Sequence, residues 1–174
     1  MDIVFHKTHL GWLELRGTSN GLRFSGFASK PDHNPTIPDY FIPWIEQIDN
    51  YFSGQLSWFN IPMDLSGHNS FHQEVWKILQ LIPFGKTRNY SEIAGFAGNP
   101  KAVRATANAI GQNPLAIIIP CHRVIGKSGN LTGYAYGLEI KKALLEFENP
   151  GKFGDQTELF PSEVYTNTKA FNNN

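Results

Sequence analysis

Ile117-Ile118-Ile119-Pro120-Cys121-His122-Arg123-Val124-Ile125 is the stretch on which the reading of the chain turns. A β-branched apolar run stops at a proline, presents the single cysteine of the 174 residues, and resumes as Val124-Ile125. Short apolar runs read as buried strands, and a proline inside one marks an edge, an end or a bend. The pattern predicts that Cys121 sits where a core strand emerges into a cleft, beside an ionisable histidine. A thiol so placed is suited to chemistry, because the thiolate is the nucleophile and a neighbouring base or cation lowers its pKa. A structural cysteine fits the same residues, since free Cys is among the most buried residue types. This fragment alone leaves both readings open.

The composition, 41% hydrophobic and 17% charged, is that of a soluble globular protein with room for one generous domain or two small ones. No apolar run approaches the roughly 20 residues of a membrane span, the longest strongly apolar piece being 115–119. The start, Met1-Asp2-Ile3-Val4-Phe5-His6, does not read as a signal peptide. One cysteine excludes internal disulfides and a multi-cysteine zinc site, and a free thiol fits a reducing, cytoplasmic setting. His6, His9 and His33 lack ligand spacing, so neither metal nor cofactor is expected. The zero net charge hides an asymmetry. Residues 1–69 carry four Lys/Arg against seven Asp/Glu, whereas 70–148 carry nine against five. Basic charge gathers in the segment that holds Cys121, as a polyanion-facing surface requires and as an ordinary solvated face also allows.

Taken in order, 3–5 and 10–15 read as strands, Asn20-Gly21 as a hairpin turn and 22–27 as the returning strand. Trp44, Ile45, Ile48, Tyr51 and Phe52 recur at helical spacing, and 56–61 is expected to form a further strand. Ser70 with Gln73 fits a capping box for a helix with apolar Phe71, Val75, Ile78, Leu79 and Ile82. Asn89 with Glu92 caps a shorter one. Asn99 then suits an N-cap and Pro100 the first helical position of a helix running to about Ile110, with Val103, Ala107 and Ile110 inward and Lys101, Arg104 and Asn108 outward. These two helices form a helix-turn-helix pattern, although a plain helical pair with a wet face reads the same way. The last helix, about 137–148, turns Glu148 into its apolar arc beside Leu144 and Leu145. A carboxylate pointing inward needs a partner, for which a histidine is suitable, unless the helix end frays and lets it out to water.

These residues resemble a family. Asn113-Pro114, Ile119 through Ile125, Gly133-Tyr134 through Gly137-Leu138, Lys141, Leu144-Leu145 and Glu148 are similar to the O6-alkylguanine-DNA alkyltransferases. So are Phe71, Val75-Trp76, Ile82-Pro83-Phe84-Gly85, Tyr90, Ile93-Ala94 and Gly98-Asn99-Pro100-Lys101-Ala102 with Arg104-Ala105. The likeness is continuous over 70–148. It implies an α+β chain in which a small RNase H-like α/β unit (1–62) and a linker (63–69) precede a mostly helical, winged helix-turn-helix-like DNA-binding domain (70–149). The tail, 150–174, is expected to be largely disordered.

The resemblance also implies roles. Cys121 is the acceptor, His122 its base acting through a water, and Glu148 the group that orients the imidazole; Asn113 braces the turn and Tyr90 donates to the leaving guanine. Because the target lies inside a duplex, its nucleotide is flipped out. Arg104 fills the gap from a helix in the minor groove, and Asn99, Lys101, Ala102, Ala105 and Asn108 contact DNA beside it. Val124, Ile125, Tyr134, Ala135 and Tyr136 line the pocket, and Lys127 and Ser128 close it. Ala107-Asn108 stand where some members have paired glycines, so a slightly different approach to the DNA backbone is expected; Tyr136 stands where some have a glycine, so a pocket narrowed toward smaller alkyl groups is expected. The implied activity is a single, irreversible alkyl transfer from O6-alkylguanine, and less well O4-alkylthymine, by a monomer with no cofactor and no membrane partner. Lesion binding without chemistry, a regulator alkylated at its thiol and a cysteine hydrolase are the alternatives. The first lacks the cysteine, the second needs a further segment, and the third an oxyanion hole.

Overall fold

In the computed structural model, residues 1–33 and 35–150 are described, so the expectation for the tail falls almost wholly outside them. Strands β1 (Asp2–Thr8), β2 (Gly11–Thr18) and β3 (Gly21–Ala28) form an antiparallel meander in the order β1-β2-β3. Alternating burial along β2 puts Leu13 and Leu15 into the core against Val4 and Leu22. Helix α1 (Ile42–Phe52) covers that face with Trp44, Ile48 and Tyr51.

The expected strand at 56–61 does not form. Gln47 takes both backbone groups of Asn60: its Nε2 donates to the Asn60 carbonyl (3.1 Å) and its Oε1 accepts from the Asn60 amide (2.7 Å). A side chain therefore supplies the bonds that a neighbouring strand would have offered. The linker is fastened too. The Leu22 amide donates to the Pro62 carbonyl, the Asp64 amide to the Leu22 carbonyl, and Arg23 pairs with Asp64.

Helix α2 (Ser70–Gln80) starts one residue earlier than the capping-box reading allows. Asn69, not Ser70, is the N-cap and accepts from the His72 amide, while the Gln73 side chain turns back to the His68 carbonyl. The cap at Asn89 forms as expected, reciprocally with Glu92, and opens α3 (Tyr90–Phe96) directly after the two-residue strand β4 (Arg88–Asn89). Helix α4 (Val103–Gly111) starts later than expected. Asn99 uses its side chain on the Lys101 amide and its carbonyl on the Ala102 amide, so a turn takes residues 99–102 out of the helix. Its inner face is Thr106, Ala109 and Ile110 rather than Val103 and Ala107, which are only half-buried. The Trp76 indole ties α2 to α4 by donating to the Ala109 carbonyl (2.8 Å).

The central stretch is not a strand either. Ile117 adopts a left-handed φ of 72°, and the Ile119 amide closes onto the Leu115 carbonyl. Residues Cys121–Arg123 form a 3-10 turn that leads into β5 (Val124–Ile125), which pairs parallel with β4. The isoleucines are still buried, so the apolar run reports the core correctly and the backbone shape wrongly. Helix α5 (Leu138–Glu148) completes the fold and buries Lys141, Leu144, Leu145 and Glu148 on one face, while Leu138 is exposed. One apolar core runs from Val4 on β1 to Leu144 on α5.

Candidate active site

The turn that carries Cys121 is held by a side chain. Asn113 Oδ1 accepts from the Leu115 amide (2.9 Å), and its Nδ2 donates to the Ile119 carbonyl (2.8 Å) and to Cys121 Sγ (3.0 Å). This amide both folds the chain under the thiol and stabilises negative charge on sulfur. Burial pushes the Cys121 thiol up from its ordinary value, opposed by the Asn113 hydrogen bond and the charge of Lys141. At rest the sulfur is a protonated thiol, and it needs a base to become a nucleophile.

His122 is fully buried. Its Nε2 lies 2.9 Å from Glu148 Oε1. Burial would raise the Glu148 carboxyl, but the charges and hydrogen bonds of His122 and Arg123 outweigh it and hold the group far below the usual carboxylate range. Glu148 is thus ionised and can only accept, which puts the imidazole proton on Nε2 and leaves Nδ1 as the basic nitrogen. That Nδ1 is buried with no hydrogen-bond partner among the described residues. Burial lowers the His122 pKa below 6.5 despite Glu148, so the ring is neutral at pH 7.

The carboxylate receives more donors than the histidine alone. Arg123 grips it through Nε (3.1 Å to Oε1 and 2.9 Å to Oε2) and Nη2 (2.8 Å to Oε1), while its Nη1 donates to the Ile82 carbonyl (2.6 Å). The Gly85 amide donates to Oε2 (3.1 Å), and the Tyr51 hydroxyl to Oε1 (2.7 Å). Gly85 has a φ of 73°, and a Cβ there would meet the Glu148 carbonyl oxygen at 2.9 Å, so glycine is required for this approach. Lys141, one turn from Leu144 and Leu145 on the inner face, is buried as well. Its ammonium donates to the carbonyls of Val124 (2.6 Å) and Thr132 (2.8 Å), and burial brings its pKa down to about 8.

Around the thiol, Tyr134 is half-buried, with its hydroxyl buried and unpartnered among the described residues. The Tyr136 ring stands 5.6 Å from that of Tyr134 and 5.6 Å from that of Phe27, and its hydroxyl fills the space a Cβ on Gly26 would take. Thr132 donates to the Tyr90 hydroxyl (3.0 Å), which leaves the Tyr90 proton free to point elsewhere. Tyr90, Lys101, Val103, Arg104 and Ala107 line one open depression, where Lys101 and Arg104 are exposed; Ala105 and Asn108 are exposed elsewhere on α4. Lys127 and Ser128 are exposed at the tip of a turn closed from Gly126 to Asn130. Arg88, Arg123 and Lys141 account for three of the nine basic residues of 70–148 and are buried, so the outward basic surplus is smaller than the sequence suggests.

Three participants escape a reading of the residues. Tyr51 registers only as an apolar helix position, and Arg123 and Lys141 only as parts of the motifs that carry the resemblance. The signal for Lys141 was present: it shares the i, i+3, i+4, i+7 face with Leu144, Leu145 and Glu148.

Residues 70–150 match the family described as "6-O-methylguanine DNA methyltransferase, DNA binding domain". A Mycobacterium tuberculosis protein named methylated-DNA–protein-cysteine methyltransferase is 50% identical over 153 residues, covering 85% of this chain and 92% of that one. A protein of the same name from Methanosarcina acetivorans is 43% identical over 158 residues, covering 85% and 98%. The crystal structure of Mycobacterium tuberculosis OGT in complex with DNA superimposes with a TM-score of 0.75 at 43% identity, covering 83% of this chain and 90% of that one.

Proposed function

The chain belongs to the methylated-DNA–protein-cysteine methyltransferase family, and from that premise we propose that it repairs O6-alkylguanine in double-stranded DNA by moving the alkyl group onto Cys121. The observation that carries this reading is the buried order of thiol, imidazole and carboxylate, with Asn113 on the sulfur and the basic Nδ1 of His122 unengaged among the described residues. His122 Nδ1 takes the thiol proton through a bridging water, and Glu148 stabilises the imidazolium that results. The thiolate attacks the alkyl carbon, the carbon–oxygen bond breaks, and its electrons pass to the guanine O6. Tyr90 donates a hydrogen bond to the departing base, which leaves neutral once it has taken up a proton. The product is a thioether, which nothing in this site can reverse, so each molecule acts once.

Access to the base requires extrusion from the stack. Arg104 enters the space left behind, and Lys101, Asn108, Asn99, Ala102 and Ala105 lie against the DNA backbone, with Lys127 and Ser128 at the mouth of the pocket. Val124, Ile125, Tyr134, Ala135 and Tyr136 form its walls, and Tyr136, propped on Gly26, restricts it to small alkyl groups. O4-alkylthymine is a poorer substrate. The protein works as a cytoplasmic monomer, with residues 1–62 supporting residues 70–149.

Intact-protein mass after mixing with a methylated duplex tests the reading. One methylene increment on Cys121, stoichiometric and without turnover, is expected, and Cys121→Ala should abolish it. Release of unmodified protein after many turnovers would overturn the assignment.

A further inference from the structure

Tyr51 lies on α1, far in sequence from the other site residues, and has no place in the chemistry above. Yet its hydroxyl is buried and ends 2.7 Å from Glu148 Oε1, the oxygen that also faces His122 Nε2 at 2.9 Å. Its ring is seated among Phe52, Phe59, Phe84 and Phe147, which fixes where the hydroxyl points. A ring in that position needs no hydroxyl for packing, and burying one is unfavourable unless it makes a hydrogen bond. We propose that Tyr51 is a positioning residue of the transfer site: it holds the Glu148 carboxylate and, by sharing Oε1 with His122, sets how firmly the imidazole Nε2–H is held. The inference rests on the alkyl-transfer reading above for its effect on rate, and on geometry alone for its effect on His122.

The sign follows from competition for one oxygen. Each donor to Oε1 spreads the carboxylate charge and makes it a weaker acceptor toward the others. Without the hydroxyl, Glu148 holds the protonated imidazole more strongly and His122 becomes more basic. The charged and titratable groups facing this cluster are Glu148 and Lys141 from α5, Arg123 and Cys121 from the 3-10 turn, and Tyr134. Burial and the Glu148 charge keep Tyr51 itself protonated, so it remains a donor throughout the working range. Among these groups Tyr51 is supplied by residues 1–62, so that unit completes the site as well as supporting it.

The test compares the parent protein, Tyr51→Phe and Phe59→Leu. Phe59→Leu loosens the same aromatic cluster without touching Glu148. Two quantities are read: the nitrogen-15 NMR titration of the His122 ring, and the single-turnover rate of methyl transfer against pH. In Tyr51→Phe the His122 titration and the acid limb of the rate profile should both move upward by about half a pH unit. In Phe59→Leu the melting temperature should fall while both stay in place. Profiles of Tyr51→Phe that superimpose on the parent, or a shift shared by Phe59→Leu, overturn the proposal. Should Tyr51→Phe fail to fold, a slowly exchanging Tyr51 hydroxyl proton in the parent spectrum decides the point, and its absence counts against the bond. A parent that accepts no methyl group disproves the functional reading, while the NMR titration still judges this one.

Discussion

The two sides of the proposed site are built on opposite principles. Around Glu148, a carboxylate, an imidazole, a guanidinium and a phenol are buried together and bonded to one another before any ligand arrives. Around Arg104, the side chains stand in water along an open depression. The buried side is preorganised and coupled to the stability of the fold, because neither Glu148 nor Arg123 can be removed singly without stranding the charge of the other. The exposed side makes few contacts with the core, so its side chains can be changed with little effect on the fold.

Removing the centre of the buried side tests that contrast most severely. Glu148→Ala leaves Arg123 as a buried charge without its counterion, and it should cost about 3–5 kcal/mol in urea unfolding. Transfer should slow by about a hundredfold or more once the histidine loses its orienting partner. Combining Glu148→Leu with Arg123→Met should return much of the stability and none of the activity, since an apolar pair of similar volume can replace a buried ion pair. If the single variant unfolds at the parent's urea concentration, the cluster is not coupled to the fold.

Acid offers a gentler probe of the same side. The Glu148 carboxyl has an ordinary value of 4.5 and lies far below it in the folded protein, where attraction to His122 and Arg123 overcomes the effect of burial. Its contribution is present above the unfolded value and is lost as pH falls through the folded one. His122, lowered chiefly by burial from 6.5, adds loss of the same sign, because the unfolded chain takes up a proton that the folded chain refuses. The unfolding midpoint should therefore decline from pH 6.5 downward and more steeply below 4.5. A midpoint at pH 4 equal to that at pH 7 would contradict both shifts. The Glu148→Leu/Arg123→Met protein should show a shallower decline.

On the exposed side the stability effect is smallest. Arg104→Ala should change unfolding by less than about 0.5 kcal/mol. It should slow repair of duplex DNA while leaving the reaction with free O6-methylguanine base nearly unchanged. Equal slowing of both substrates would remove the separation between the two sides.

The same division decides what the sequence made legible. Exposed positions follow periodicity, so the outward Arg104 and Asn108 of α4, and Lys101 in the turn before it, were readable from spacing, as was the Asn89–Glu92 cap, which is a local bond. Glu148 was readable as an inward carboxylate from its helix wheel, with fraying of the helix end as the alternative, and the structure buries it. Tyr51, Arg123 and the second donors to Glu148 were not, because each depends on a contact across many residues that no local period encodes. The two mistaken strands share one cause. At 56–61 the side chain of Gln47, and at 117–119 that of Asn113, supplies backbone bonds that a strand would have drawn from a neighbour. At 117–119 the β-branched residues correctly report burial, whereas at 56–61 only Ile61 is buried and Trp58 is exposed; in both a ladder also needs a free partner.

The edge strand β3 carries a consequence for how the chain is born. Its Leu22 waits for Pro62 and Asp64, and its Ser25 bonds with Pro114 and Ala116, including a hydroxyl bond that spans 91 residues. During synthesis the meander therefore leaves the ribosome with one side of β3 open, and it stays open until the segment just ahead of Cys121 emerges. An unpaired strand edge is a template for association with other chains, and contacts of long sequence separation close slowly. The segment that leads to Cys121 thus covers the open side of β3, and because Glu148 lies later in the chain a newborn protein can close that edge before the buried cluster around the carboxylate can form.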